Sequence, residues 1–296
     1  MINEYSIKDL ERITGIKAHT IRIWEKRYNI VNPERSDTNI RHYCDDDLKR
    51  LLNISLLVKN GHKISKVAGL GEEELVQKVI ELNNVPLANL NVQIESLILA
   101  MVDLDEERFE KVLNNCIFKL GFEDTLFKVI YPLLSKTGTL WQIGTITPAH
   151  EHFLSNLIRQ KVYAAIDALP RNKDKASKNF LLVLPEWELH DIGLLVYNYL
   201  LRKRGYRTVF LGQGIPLENV AAVKRKTNPD IILTSFSTHV EQDRMLEYLN
   251  ELDRHFDSKP VYVCGIQVAN LDDNLPVNIH KVATSLDFKD EVLKSI

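Results

Sequence analysis

Cysteine is scarce in this chain of 296 residues, with only Cys44, Cys116 and Cys264 present. Three scattered thiols build neither a disulfide framework nor a zinc site, which points to a reducing compartment. No apolar run approaches the roughly 20 residues that a membrane span requires. The opening MINEYSIKDLERITG lacks a basic stretch leading into an apolar one, so it does not read as a secretory signal. A cytoplasmic protein with no membrane association is expected. Internal repeats and low-complexity tracts are also missing. No strand is followed by the G-x-G-x-x-G of a dinucleotide-binding sheet, which ranks that reading last. Net charge is only −2, too small to mark the whole chain as a nucleic-acid binder.

The charge is unevenly placed. Residues 1–70 hold 13 Lys+Arg against 9 Asp+Glu, and the remainder 25 against 31. A basic head on an acidic body is the footprint of a local DNA-binding module, although charge alone leaves chance equally open. At 45% hydrophobic the composition is ordinary for a globular protein, and the length suggests two or three domains.

Hydrophobic periodicity divides the chain in three. Residues 6–14 and 18–28 read as short helices separated by Gly15, residues 29–43 as loop or ribbon, and residues 45–58 as a helix, with another short one from Ile64. Residues 72–168 are helical almost throughout, with breaks expected at Pro86, Gly121, Gly138 and Gly144. Four or five such helices make a bundle. After a polar linker at 171–178, strands are expected at 180–184, 208–211, 231–234, 261–264 and 282–283. Helices are expected at about 191–204, from Pro216, over 241–255 and over 287–295. Continuous apolar strands alternating with amphipathic helices predict a Rossmann-like, doubly wound parallel sheet covered on both faces. The expected fold is therefore multidomain, α plus α/β: a winged helix-turn-helix over 1–75, a helical bundle over 76–170 and a parallel sheet over 178–296.

Two helices around Gly15 form a helix-turn-helix whose second helix should enter the major groove. Its outward residues are Lys17, His19, Thr20, Arg22, Glu25 and Lys26, with Ile21 and Trp24 inward. Arg27 and Arg35 are long enough to reach phosphates, which supply affinity and register. The run Arg22-Ile23-Trp24-Glu25-Lys26-Arg27-Tyr28, followed by Pro33, Arg35, Asn39, Arg41 and Tyr43, resembles the MerR family of regulators. That resemblance implies a DNA-binding head using Lys17, His19, Thr20, Arg22, Lys26, Arg27, Arg35, Arg41 and Tyr43. Asn39 stands where the family often has Gly, and Asn tolerates the left-handed turn this requires.

The loop Glu188-Leu189-His190-Asp191-Ile192-Gly193 follows the first parallel strand, at the strand end where such sheets bind ligands. His190 could coordinate a metal, with Glu188 or a nearby hydroxyl orienting it; a loop His beside carboxylates is also a common capping residue. Gly193 would let a bulky ligand approach the next helix. The loop resembles the D-x-H-x-x-G signature of cobalamin-binding domains, in which the His is the lower axial ligand to cobalt. Leu211-Gly212 with Pro216 resembles the turn that follows the second strand of those domains. Ser235 and Ser237 lie where they line the nucleotide-tail pocket. Gly265 keeps one of a glycine pair whose other position is Ile266. Trp141 with Glu151 and His152 resembles the helix-bundle cap of light-dependent, cobalamin-binding repressors of carotenoid synthesis. The resemblance implies Trp141, Glu151, His152, Glu188, His190, Asp191, Gly193, Gly212, Ser235, Ser237 and Gly265 as cofactor-binding residues, with adenosylcobalamin as cofactor. Gln142 stands where those photoreceptors have a His; His150 or His152 could take its place.

These readings combine into a regulator, not an enzyme. It would bind a double-stranded DNA operator, form a homo-oligomer (dimer or tetramer) and respond to cobalamin, with light response open. An alternative keeps the DNA-binding head but leaves the sensor without cofactor, answering to a protein partner such as an antirepressor. A corrinoid carrier for a methyltransferase ranks below both.

Overall fold

The computed structural model describes residues 5–36, 39–83, 90–142, 144, 146–170, 178–257, 259–271, 275–282 and 284–289. The chain forms two compact units, Met1–Asn156 and Leu157–Ile296. No helix among the described residues is long and apolar enough to cross a membrane.

In the first unit, α1 (Ile7–Thr14) opens on a capping box. The Ser6 hydroxyl accepts from the Asp9 amide, and the Asp9 carboxylate accepts from the Ser6 amide. Gly15, at φ 70°, ends it in the left-handed conformation that only glycine adopts without penalty. The chain then enters α2 (Ala18–Tyr28). Strands β1 (Glu34–Arg35) and β2 (Arg41–His42) pair antiparallel, Arg35 opposite Arg41, and form the wing. Asn39 takes φ 63° in the connecting turn, the conformation expected of it. Helix α3 (Asp45–Lys59) places Asp45, Asp46 and Asp47 at the positive end of its dipole. Its Ser55 hydroxyl and Lys59 ammonium each donate to the Thr14 carbonyl over 3.0 Å, fastening the α1–α2 corner to α3. Helices α4 (Ile64–Val67) and α5 (Glu72–Asn83) follow.

Helix α6 (Leu90–Val102) is apolar around most of its circumference, and Val92, Ile94 and Leu97–Val102 are all buried. A helix of that kind must be surrounded. It is packed against α7 (Glu106–Leu120) and α9 (Tyr131–Gln142), with α8 (Phe122–Thr125) and a π-helical turn (Leu126–Ile130) leading into α9. Lys59 pairs with Glu95 of α6 at 2.8 Å, and Lys49 with Asp103, just beyond it, at 2.9 Å, so α3 is joined to the middle and to the C-terminal end of α6. The break expected at Gly121 is present, at φ 79°. The break expected at Gly138 is not: Gly138 lies inside α9, where burial of Leu133, Thr137 and Leu140 outweighs the roughly 1 kcal/mol a helical glycine costs. The break expected at Pro86 falls outside the described residues. The unit boundary falls within α10 (Pro148–Asp167).

The second unit is a five-stranded parallel sheet. In chain order it runs β3 (Asn179–Val183), α11 (Ile192–Lys203), β4 (Arg207–Gly212), α12 (Leu217–Thr227), β5 (Ile231–Ser235), α13 (Gln242–His255), β6 (Val261–Cys264), a 3-10 turn (Ile266–Asn270), β7 (Ile279–Lys281) and α14 (Ser285–Asp287). The strand order is β4-β3-β5-β6-β7. Strands β3 and β5 are buried along their whole length, as continuous apolar runs require. The chain leaves β3 toward one edge and returns at β5 toward the other, so the switch point of the sheet lies between β3 and β5. The last strand lies at Ile279–Lys281, three residues before the expected Val282–Ala283. It is a half-exposed edge strand with two polar residues, so hydrophobicity does not locate it. Most of the helix expected over 287–295 and of the linker over 171–178 lies outside the described residues.

Candidate functional site

Two groups of residues concentrate the chemistry. The first lies at the switch point. Beyond β3 the chain turns at Pro185 and buries Glu188 completely. Its carboxylate is surrounded by donors. Oε2 accepts from the Ser237 and Thr238 amides at 2.6 and 2.7 Å, and Oε1 from the His190 amide and the Thr238 hydroxyl at 2.9 Å each. His190 Nδ1 lies 2.7 Å from Oε1 and 3.2 Å from Thr238 Oγ1. Burial pushes the Glu188 carboxyl up, but the His190 ring and the amides of Thr238, His190 and Ser237 outweigh it and hold the group at about 2. The carboxylate is therefore ionised at neutral pH, and its best partner is an Nδ1–H. In that tautomer the lone pair sits on Nε2, on a side chain that is 65% exposed. A carboxylate behind an imidazole is the arrangement that orients a metal-binding histidine.

The other predicted residues divide around this pair. A Cβ on Gly193 would meet nothing within 4 Å, so the first turn of α11 leaves the open approach expected of it. Gly212 has φ 77° and turns the chain out of β4. Ser235 is buried at the end of β5, while Ser237 contributes its amide to Glu188. Gly265 has a structural reason of its own. A Cβ there would lie 2.3 Å from the Phe236 carbonyl oxygen and 2.8 Å from Ser235 Oγ, so only glycine lets β6 end against β5. Ile266 is 76% exposed and leaves the packed interior to Val268. Asp191 departs from its expected role: its buried carboxylate accepts from Arg159 Nε at 2.6 Å and is engaged there. Sequence reasoning missed Thr238, which supplies an amide and a hydroxyl to the pair. Its only signal was its place beside Ser235 and Ser237.

In the first unit, Trp141 ends α9 and Glu151 and His152 lie in the first turn of α10, so the topology brings them to one end of the bundle. Trp141 is 46% exposed, an unusual setting for so large an apolar ring, and is not bundle core. His152 is exposed beside Glu151, which accepts from the Ser155 hydroxyl. His150 has a different part. The Thr147 amide donates to its Nδ1 at 3.2 Å, so that nitrogen is engaged within the fold. The side chain of Gln142 is outside the described atoms.

The second group lies in the head. Lys17, His19, Arg22, Lys26 and Arg27 are exposed along α2, Thr20 partly so, and Arg35 is exposed on the wing. Arg22, Lys26, Arg35 and Arg41 line a cleft of about 590 Å³ between helix and wing, with Glu25 among them. Glu25 is not an outward contact as expected; its carboxylate accepts from Arg41 Nε at 3.1 Å. Tyr43 also departs from expectation. It is 1% exposed, pairs through its backbone with Tyr5, and donates its hydroxyl to Glu25 at 3.3 Å. Burial and then the Glu25 charge push its phenol up to about 12, so it stays a donor.

Residues 5–74 match the MerR HTH family regulatory protein, and residues 93–166 match the B12 binding domain. The chain thus carries a MerR-type helix-turn-helix match in its head and a B12 binding domain match in its bundle. Over 272 residues it is 29% identical to the HTH-type transcriptional repressor CarH of Myxococcus xanthus, covering 88% of each chain. Over 262 residues it is 26% identical to the repressor CarA of the same organism, covering 88% of this chain and 86% of that one. The monomethylamine corrinoid protein of Methanosarcina barkeri aligns with 70% of this chain and all of its own, at a TM-score of 0.57 and 16% identity, and so shares the fold. The B12-matched segment is the bundle that carries Trp141, Glu151 and His152. The MerR-matched segment holds α1, α2, the wing and α3.

Proposed function

We propose that this chain is a DNA-binding transcription regulator, a repressor, whose hold on DNA is set by cobalamin bound at the His190 loop. The Glu188–His190 pair supports this reading most directly. Cobalamin brings a cobalt already held by its own macrocycle, so the one protein ligand it would need is an oriented imidazole, which His190 would supply. A single histidine held by a buried carboxylate suits that need. When bound in the adenosyl form, the cofactor supplies a cobalt–carbon bond that light can break. Gly193 would leave room for the cofactor, and Gly212, Ser235, Ser237 and Gly265 would hold its tail at the strand ends. Trp141, Glu151 and His152 are the bundle residues that would contact the cofactor. The DNA partner is a double-stranded operator, and a homo-oligomer bound to it gains avidity that the cofactor state raises or lowers. No catalytic residue is assigned.

The test is a visible spectrum. Protein mixed with adenosylcobalamin in the dark and freed of excess ligand should be red, and its H190A variant should bind more weakly with a shifted spectrum. A colourless protein that still shifts duplex DNA would overturn cobalamin control and favour a cofactor-free sensor answering to a protein partner.

A further inference from the structure

A carboxylate on the face that meets DNA repels phosphate, and Glu25 sits on that face of α2. Only 15% of its side chain is exposed, between a helix that bears Arg22 and Lys26 and a wing that bears Arg35 and Arg41. Both oxygens lie 3.1 Å from Arg41 Nε, Oε2 also takes the Tyr43 hydroxyl, and Oε1 is 4.0 Å from an Arg35 amino group. Tyr43 is tied down through its amide and carbonyl, which pair with Tyr5 at 3.0 and 2.8 Å. Arg35 is braced from the other side by Asn39 Oδ1 at 2.6 Å. Glu25 is thus the point at which the recognition helix, both wing arginines and the buried Tyr43 meet. Nε is one of five donors on a guanidinium, so holding Arg41 there still leaves its two amino groups to present to another anion.

We propose that Glu25 is a positioning residue for DNA binding. It fixes Arg41 and Arg35 against α2, so that the wing cations meet backbone phosphates as one set, with their side-chain freedom already lost before the complex forms. The inference rests on the reading of this head as DNA-binding, and it predicts the opposite sign to simple charge. Removing an acid from a cationic cleft should tighten DNA binding by electrostatics alone; removing the group that orders the arginines should weaken it.

The full-length protein is titrated with a fluorescein-labelled, mixed-sequence DNA duplex by anisotropy, over a series of salt concentrations. E25A is expected to weaken binding about tenfold and to lower the salt slope by about one phosphate contact. The double variant E25A/R41A should lose less than the sum of the two single losses, because part of the E25A loss runs through Arg41. E25Q keeps the shape and one acceptor oxygen, and should fall between wild type and E25A; it also serves if E25A does not fold. Binding by E25A or E25Q equal to or tighter than wild type overturns the inference, as does an additive loss in the double variant. If wild type and R41A alike leave the duplex free, the DNA-binding reading itself fails and takes this inference with it.

Discussion

His190 and Glu188 are joined twice: the ring nitrogen Nδ1 and the backbone amide of His190 lie 2.7 and 2.9 Å from one oxygen of the Glu188 carboxylate. Turning the imidazole breaks the Nδ1 contact and shifting the loop breaks the amide contact, and Thr238, two strands along the chain, closes the third side. The carboxylate is therefore a bracket for the ring, set in the loop beyond β3.

It follows that Glu188 should matter for cobalamin almost as much as His190 does. Glu188→Gln keeps the volume but loses the charge that selects the Nδ1–H tautomer. Affinity for adenosylcobalamin is expected to fall by about 10- to 100-fold, the range seen when an outer partner of a metal-bound histidine is removed. Thr238→Val should give a smaller loss. Equilibrium dialysis with absorbance readout measures both, and an E188Q affinity equal to wild type would mean that the bracket does not orient a ligand.

The DNA-binding head yields a separate expectation. Arg22 is exposed on α2 and, among the described residues, no ion pair or hydrogen bond of its side chain to protein competes with phosphate. Arg22→Ala should weaken duplex binding by about tenfold at moderate salt and lower the slope of log affinity against log salt by about one. Tyr43→Phe removes only the hydroxyl bond to Glu25 and should cost less than a factor of about five, in keeping with a net hydrogen-bond contribution of about 1 kcal/mol. A Tyr43→Phe loss equal to that of Arg22→Ala would place the phenol at the DNA after all.

How much of this was legible in the sequence depended on how local each signal is. The α1–Gly15–α2 corner and the fully buried strands β3 and β5 announce themselves in runs of neighbouring residues. The Glu188–His190 pair, separated by two positions, did so as well. Glu25 and Tyr43 did not, because their meeting spans 18 residues and a wing turn; α2 periodicity showed only that Glu25 is not in the core. Thr238 joins Glu188 across 50 residues, a juxtaposition created by the parallel pairing of β3 with β5. Strand β7 escaped for the opposite reason, since one buried residue followed by two exposed polar ones leaves no pattern to detect.

His150 gives the first unit a pH dependence of its own. Burial lowers its pKa below the ordinary 6.5, and Asp45 and the Val102 carbonyl only partly offset this. The folded form thus keeps the ring neutral, and its Nδ1 accepts the Thr147 amide at the start of α10. The unfolded chain takes up a proton first as pH falls through about 6.5. Stability from this group is therefore complete above that pH and is lost as pH falls toward the lowered value. His150→Gln, which does not titrate, should flatten the loss of denaturant midpoint between about pH 7 and pH 5. An unchanged slope would mean that the ring is already protonated in the folded protein.

Two glycines at the candidate cofactor site should respond in opposite ways to the same substitution. Gly193 lies in the first turn of α11 with nothing within 4 Å of a new Cβ, so Gly193→Ala meets no obstacle in the fold. Helix propensity should make it neutral or more stable, by up to about 1 kcal/mol. The methyl group would stand in the space beside His190, and cobalamin binding should weaken while the melting temperature holds or rises. Gly265→Ala combines a φ of 101° with a methyl carbon placed 2.3 Å from the Phe236 carbonyl oxygen, so backbone must move where β5 and β6 end. It is expected to destabilise the second unit by more than about 2 kcal/mol whether or not cofactor is present. Thermal melts with and without cobalamin separate the cases: a G193A variant that is stable and binds like wild type would remove Gly193 from the site, and a G265A variant as stable as wild type would contradict the close approach of the two strand ends.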